Sequence, residues 1–101
     1  MSRTSIDELR KNRLAAMSAD ERAAFDATYE ATRLALEVGE KVRDAREAAG
    51  LSQRELAARV GTSQAAVARL EAGSVGATLT MVQNVAAALG LRVIVEFSAA
   101  S

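Results

Sequence analysis

The chain has 101 residues, 13 basic and 13 acidic side chains, and no cysteine, histidine, proline or tryptophan. That length supports one hydrophobic core and excludes a multidomain enzyme, and the missing thiols and imidazoles exclude disulfides, Cys/His metal sites and the Ser/His and Cys/His catalytic pairs. Half the residues are hydrophobic, but 23 of them are alanine and only 3% of the chain is aromatic, so a thin, helical core is expected.

The first residues lack an apolar signal core, and the longest apolar stretch, Val85 to Leu91, is far too short to span a bilayer. A soluble cytoplasmic protein without a membrane partner is expected. Charge is balanced locally as well as globally: residues 1–36 and 37–73 each carry six basic and six acidic side chains. The zero sum neither supports nor excludes nucleic acid, because placement matters more than total. No catalytic group, cofactor or metal site stands out, and an enzyme is not expected.

Four hydroxyl residues precede Glu or Gln by three positions, the spacing that satisfies free amides at a helix start: Ser5/Glu8, Ser18/Glu21, Ser52/Glu55 and Thr80/Gln83. Gly50, Gly61, Gly73 and Gly90 are the matching stops. In chain order, a short helix is expected over Ile6 to Ala16, with Leu9 and Leu14 as its other large apolar residues. A long one starts near Ala19 and carries Phe25, Tyr29 and the stripe Leu34, Val38, Val42, Ala45 and Ala49. The stripe passes through Gly39, which implies either a continuous helix to Ala49 or a bend there. Shorter helices are expected over Gln53 to Val60, Gln64 to Leu70 and Met81 to Leu89.

The period then changes. Leu91, Val93, Val95 and Phe97 alternate with Arg92, Ile94 and Glu96, the two-residue repeat of a strand. No second strand is visible to pair with it. It pairs with the same strand of a second copy, adds to a sheet of another protein, or lies extended on its own helices.

Residues 53–72 are the most informative stretch. Two short helices separated by Gly61 must cross steeply, with Leu56, Val60, Val67 and Leu70 facing the core and Ala57 small at the closest approach. The segment resembles the helix-turn-helix of the phage repressor and Cro (Xre) family. The likeness rests on Gly50-Leu51-Ser52-Gln53, Glu55-Leu56-Ala57, Val60-Gly61-Thr62-Ser63-Gln64, Val67, Leu70-Glu71-Ala72-Gly73 and Ala86-Ala87-Ala88-Leu89-Gly90-Leu91. Thr62 and Ala72 depart from it, standing where a branched apolar residue and Asn or Arg are more usual.

The resemblance implies a mainly α fold: a lambda-repressor-like helix-turn-helix bundle over residues 37–91. An N-terminal helical extension (1–36) precedes it and a short C-terminal β-strand and tail (92–101) follow. It also implies that the second helix enters the major groove of double-stranded operator DNA. Gln53 corresponds to a phosphate anchor, and Thr62, Ser63, Gln64, Ala65 and Arg69 to the groove-facing start and face of that helix. Gln64 suits an adenine edge, Arg69 guanine or a phosphate, and Ala65 a thymine methyl. Arg46 and Glu71 correspond to an internal ion pair. Arg54 and Arg59 read as surface charges.

The long N-terminal helix and the ending Ala-Leu-Gly-Leu-Arg-Val-Ile-Val-Glu-Phe are similar to HigA-type antitoxins of type II toxin-antitoxin modules. That likeness implies a repressor of its own operon that also neutralises a small RelE/HigB-like ribonuclease toxin, with Phe25, Tyr29 and Leu36 as its contact residues. Pairing of the terminal strand with that of a second copy would make the chain a homodimer, with Val93, Val95 and Phe97 on the dimer strand. The alternatives are a stand-alone Xre-type regulator and a helical interaction module that does not bind DNA.

Overall fold

The computed structural model describes residues 11, 12 and 16–99. The helix expected over Ile6 to Ala16, with its Ser5/Glu8 cap and Leu9 and Leu14, lies for the most part outside the described residues. Four helices then follow: α1 (Ala19–Ala48), α2 (Gln53–Val60), α3 (Gln64–Glu71) and α4 (Leu79–Ala88). The chain divides into two compact units, Met1–Ala31 and Thr32–Ser101.

In the first unit, Ser18 starts α1 with a reciprocal cap. The Glu21 amide donates to Ser18 Oγ (3.2 Å) and the Ser18 amide to Glu21 Oε2 (3.4 Å). Asp20 and Glu21 in the first turn suit the positive end of the helix dipole. Phe25 is half-buried and Tyr29 exposed.

The second unit has a small core of Val42, Leu56, Ala57, Val67, Leu70 and Val85, flanked by Val38, Val60, Met81, Val82, Ala88 and Leu89. Leu56, Val67 and Val85 are its largest fully buried side chains, each worth about 1.5–3 kcal/mol of apolar burial. With so few large side chains, close backbone approach has to supply much of the packing. Gly39 shows how. The helix is continuous through it, and a Cβ there would lie 2.6 Å from the Leu70 carbonyl oxygen and 2.7 Å from that of Glu71. The end of α3 therefore sits directly on the α1 backbone, a contact that any larger residue would hold apart. This offsets the roughly 1 kcal/mol that glycine costs inside a helix.

The connection from α2 to α3 is three residues long. Ser52 caps α2 in a full capping box with Glu55. At the other end Gly61 takes a left-handed conformation (φ 79°), so that its amide and that of Thr62 both donate to the Ala57 carbonyl at 2.9 Å. Ser63 then caps α3 by accepting from the Ala66 amide. The turn is thus closed by its own backbone and one hydroxyl.

Two expectations need correcting. α4 begins at Leu79, not Met81, because the residue with an extended backbone is Thr78 (φ −90°, ψ 158°), whose hydroxyl accepts from the Met81 amide. Thr80 lies inside the first turn, and the Thr80/Gln83 match is not the cap. Nor is a strand present among the described residues: residues 91–99 form neither helix nor strand. The reason is the one that makes a lone strand unstable, since no strand edge exists among the described residues to satisfy its backbone. No described helix is long and apolar enough to cross a membrane.

Candidate nucleic-acid interface

Helix α3 divides cleanly into two faces. Val67, Leu70 and Glu71 are buried, whereas Gln64, Ala65 and Arg69 are exposed. Ala65 and Arg69, four residues apart, lie one above the other on the open side. Thr62 is half-buried in the turn. Ser63 is exposed, with its hydroxyl oxygen already accepting from Ala66. Arg69 also borders a shallow groove shared with Thr62, Ala66, Ser74, Thr78 and Met81. The result is a short convex ridge with a hydroxyl-lined flank and one cation, carried on two helices whose relative angle the three-residue turn fixes.

What holds that ridge against α1 is a buried charge cluster. Arg46 Nε donates to Glu71 Oε2 at 2.7 Å and Nη2 to Oε1 at 2.9 Å, the two-pronged geometry in which a guanidinium matches a carboxylate best. The third guanidinium nitrogen, Nη1, donates to the Leu51 carbonyl at 2.8 Å. The side chains are only 12% and 1% exposed, and Arg43 Nε adds positive charge 3.8 Å from Glu71 Oε1. Burial pushes the Glu71 carboxyl up, but the hydrogen bonds from Arg46 and Gln53 and the charges of Arg46 and Arg43 outweigh it. The group titrates below the ordinary carboxylate range. Its hydrogen bond in turn raises the pKa of Arg46, against the opposing effect of burial.

Gln53, the first residue of α2, joins the same cluster. Its Nε2 donates to Glu71 Oε1 at 3.2 Å, and the side chain is half-buried. The amide keeps a second N–H and a carbonyl oxygen for an outside partner. Beside it, the backbone N–H groups of Gln53 and Arg54 are the first of α2 and have no helical acceptor, whereas that of Glu55 is taken by Ser52. One polar side chain and two backbone donors therefore lie together at an end of α2 that already favours an anion. The Ser52 amide, which donates to Glu55 Oε1 at 3.0 Å, and the Ser52 hydroxyl hold the Glu55 carboxyl below its usual range, and the positive charge of Arg59 adds to them.

The Gln53–Glu71 bond, the Arg43 charge and the Gly39 contact were not legible in the sequence, because each links residues far apart in the chain with no local spacing to mark it. The remaining candidates are less concentrated. Arg54 and Arg59 are exposed on α2. Phe25 and Tyr29 belong to the unit Met1–Ala31 and Leu36 to Thr32–Ser101. Half of Leu36 is exposed, and its Cδ2 fills the space a Cβ on Gly73 would need, 2.6 Å away. Val93 is half-buried, with Val95 and Phe97 exposed.

A helix-turn-helix family model matches residues 42–94, which takes in Arg46, all of α2, α3 and α4, and the start of the tail. No curated protein and no solved structure matches the chain.

Proposed function

The chain belongs to the Xre-type helix-turn-helix family of DNA-binding transcription regulators, and from that premise we propose that it is the antitoxin of a type II toxin-antitoxin module. In this role it represses its own operon and neutralises a small RelE/HigB-like ribonuclease. The observation that carries the second half is the length of α1. It starts at Ala19, 23 residues ahead of the stretch 42–94 that the helix-turn-helix model matches. Phe25 and Tyr29 lie on that N-terminal part of the helix, outside the matched stretch.

On DNA, α3 enters the major groove. Gln64 and Ala65 meet base edges, Arg69 a guanine or a phosphate, and Thr62 and Ser63 the flank of the groove. Gln53, with the free amides at the start of α2, anchors a phosphate without reading sequence. A homodimer places two α3 helices on half-sites about one helical turn apart, on the order of 34–36 Å. The toxin contacts Phe25, Tyr29 and Leu36.

Co-expression with the product of the adjacent gene tests the antitoxin role. A neighbour that is toxic alone, harmless with this chain and purified in complex with it is the expected result. A harmless neighbour that forms no complex removes the toxin and leaves a stand-alone regulator. Changing the half-site spacing by half a turn tests the dimer: binding should be lost, and indifference to spacing overturns it.

A further inference from the structure

One carboxylate oxygen, Oε1 of Glu71 on α3, gathers side chains from both of the other helices at the junction. It accepts from Arg46 Nη2 of α1 at 2.9 Å and from Gln53 Nε2 of α2 at 3.2 Å, and Arg43 Nε of α1 stands 3.8 Å away. The nitrogens of Gln53 and Arg43 therefore lie within about 7 Å of each other, although the residues belong to different helices. Two donors that close can both reach the oxygens of one phosphate, since each hydrogen bond spans about 2.9 Å.

These two side chains differ from Arg46 in what they have left to give. Arg46 spends Nε, Nη1 and Nη2 on Glu71 and the Leu51 carbonyl. Arg43 is 49% exposed, and its 3.8 Å contact with Glu71 is an ion pair without a hydrogen bond, so its guanidinium keeps N–H groups for an outside acceptor. Gln53 keeps one amide N–H. The Glu71 carboxyl, ionised near neutral pH, can only accept, and so it holds the nitrogen of the Gln53 amide toward itself rather than the oxygen.

We propose that Gln53 and Arg43 grip one phosphate of the duplex together, and that Glu71 is the positioning residue that holds both arms. The proposal rests on the DNA-binding reading above; to the Gln53 anchor it adds a cation from α1 and the buried carboxylate behind both. With 1% of its side chain exposed, Glu71 does not meet the phosphate itself. Its part is to fix in advance two long side chains whose ordering would otherwise weaken binding.

A phosphate grip does not read sequence, so a mixed-sequence duplex at low salt serves as the probe, with fluorescence anisotropy on the full chain. Arg43→Gln should make the salt slope shallower by about 0.9 per copy. Gln53→Ala removes no charge and should weaken binding about tenfold with the slope unchanged. Made together, the two should weaken binding by much less than the product of their separate effects, because one arm alone holds the phosphate poorly.

Glu71→Gln separates positioning from the other roles of a buried carboxylate. Removing a negative charge near a phosphate tightens binding if charge alone matters, and a folded variant binds as before if Glu71 only stabilises the bundle. Positioning gives binding about fivefold weaker, with Gln53→Ala adding less than about twofold on top. Helical circular dichroism checks that the variant is folded, and the exposed Arg43→Gln tests the grip even if it is not. Independent effects of Arg43→Gln and Gln53→Ala, an unchanged slope for Arg43→Gln, or equal or tighter binding by folded Glu71→Gln overturns the proposal while DNA binding stands. A chain that binds no duplex at low salt overturns the DNA-binding reading with it.

Discussion

The junction of α1 with α3 and the segment after α4 resolve the same problem, unsatisfied polar and apolar groups, in opposite ways. At the junction every partner lies within the chain: Glu71 accepts from Arg46 and Gln53, Arg46 also reaches the Leu51 carbonyl, and Gly39 lets two backbones touch. After residue 90, apolar side chains find little cover among the described residues. A polar cluster closed on itself makes a rigid platform, and an apolar segment left open makes a place for another molecule. Stability should therefore reside in the first and association in the second.

The sharpest way to break the contrast is to remove one member of the closed cluster. Glu71→Ala leaves the part-buried Arg46 charge with only the Leu51 carbonyl and the exposed Glu47 carboxylate, 3.9 Å away, as partners, and should cost up to about 3–5 kcal/mol of unfolding free energy by urea denaturation. A loss below 1 kcal/mol, on the order of a surface pair, would show that the platform does not depend on it. Acid probes the same carboxyl. Because Glu71 titrates lower in the folded chain than its ordinary value of 4.5, the unfolded chain takes up the proton first. Its contribution is present in full above that value and lost as pH falls through the folded pKa. The stability gap between wild type and Glu71→Gln should narrow on acidification below about pH 4.5, and a constant gap would assign it to packing.

Gly39→Ala sets two effects against each other. Helix propensity favours alanine by about 1 kcal/mol, but the new methyl would stand 2.6 and 2.7 Å from two carbonyl oxygens that belong to the backbone and cannot turn aside. Net destabilisation of about 1–3 kcal/mol is expected from thermal unfolding, and a rise in Tm would mean that α1 shifts at little cost. The smallest effect belongs to the open region. Phe97→Ser should change the unfolding free energy of the bundle by less than about 0.5 kcal/mol at concentrations where the chain is monomeric. A larger loss would place Phe97 against the helices.

What was legible in the sequence follows the same division. Ser52/Glu55 and Gly61 announce α2 and its turn because caps act between residues one turn apart, and the Leu56, Val67 and Leu70 spacing announces the core for the same reason. Gly39 could be seen as a question but not answered, since what decides it is the end of a helix more than 30 residues later. At Thr80 the box spacing points two residues past the true cap. Thr78 caps with a single bond and no returning side chain, a signal too short to outrank a two-residue match. Gln53 was legible as a surface anchor but not as a neighbour of Glu71, because nothing in the local pattern brings 53 and 71 together. The alternation after residue 90 is present, but alternation describes a side-chain pattern and not the partner that would make it a strand.

The complete engagement of Arg46 also sets a limit on how the protein holds DNA. Five arginines and no lysine lie between residues 42 and 90. With Nε, Nη1 and Nη2 of Arg46 all committed internally, Arg43, Arg54, Arg59 and Arg69 are the arginines of this stretch left to displace condensed cations from the duplex. At roughly 0.9 per neutralised phosphate, these four contribute at most about −3.6 per copy to the slope of the logarithm of affinity against that of salt concentration. On an operator that takes two copies these contributions add to about −7, so affinity should still fall by orders of magnitude as salt rises, while the choice among sites rests on the uncharged contacts of Gln64 and Ala65.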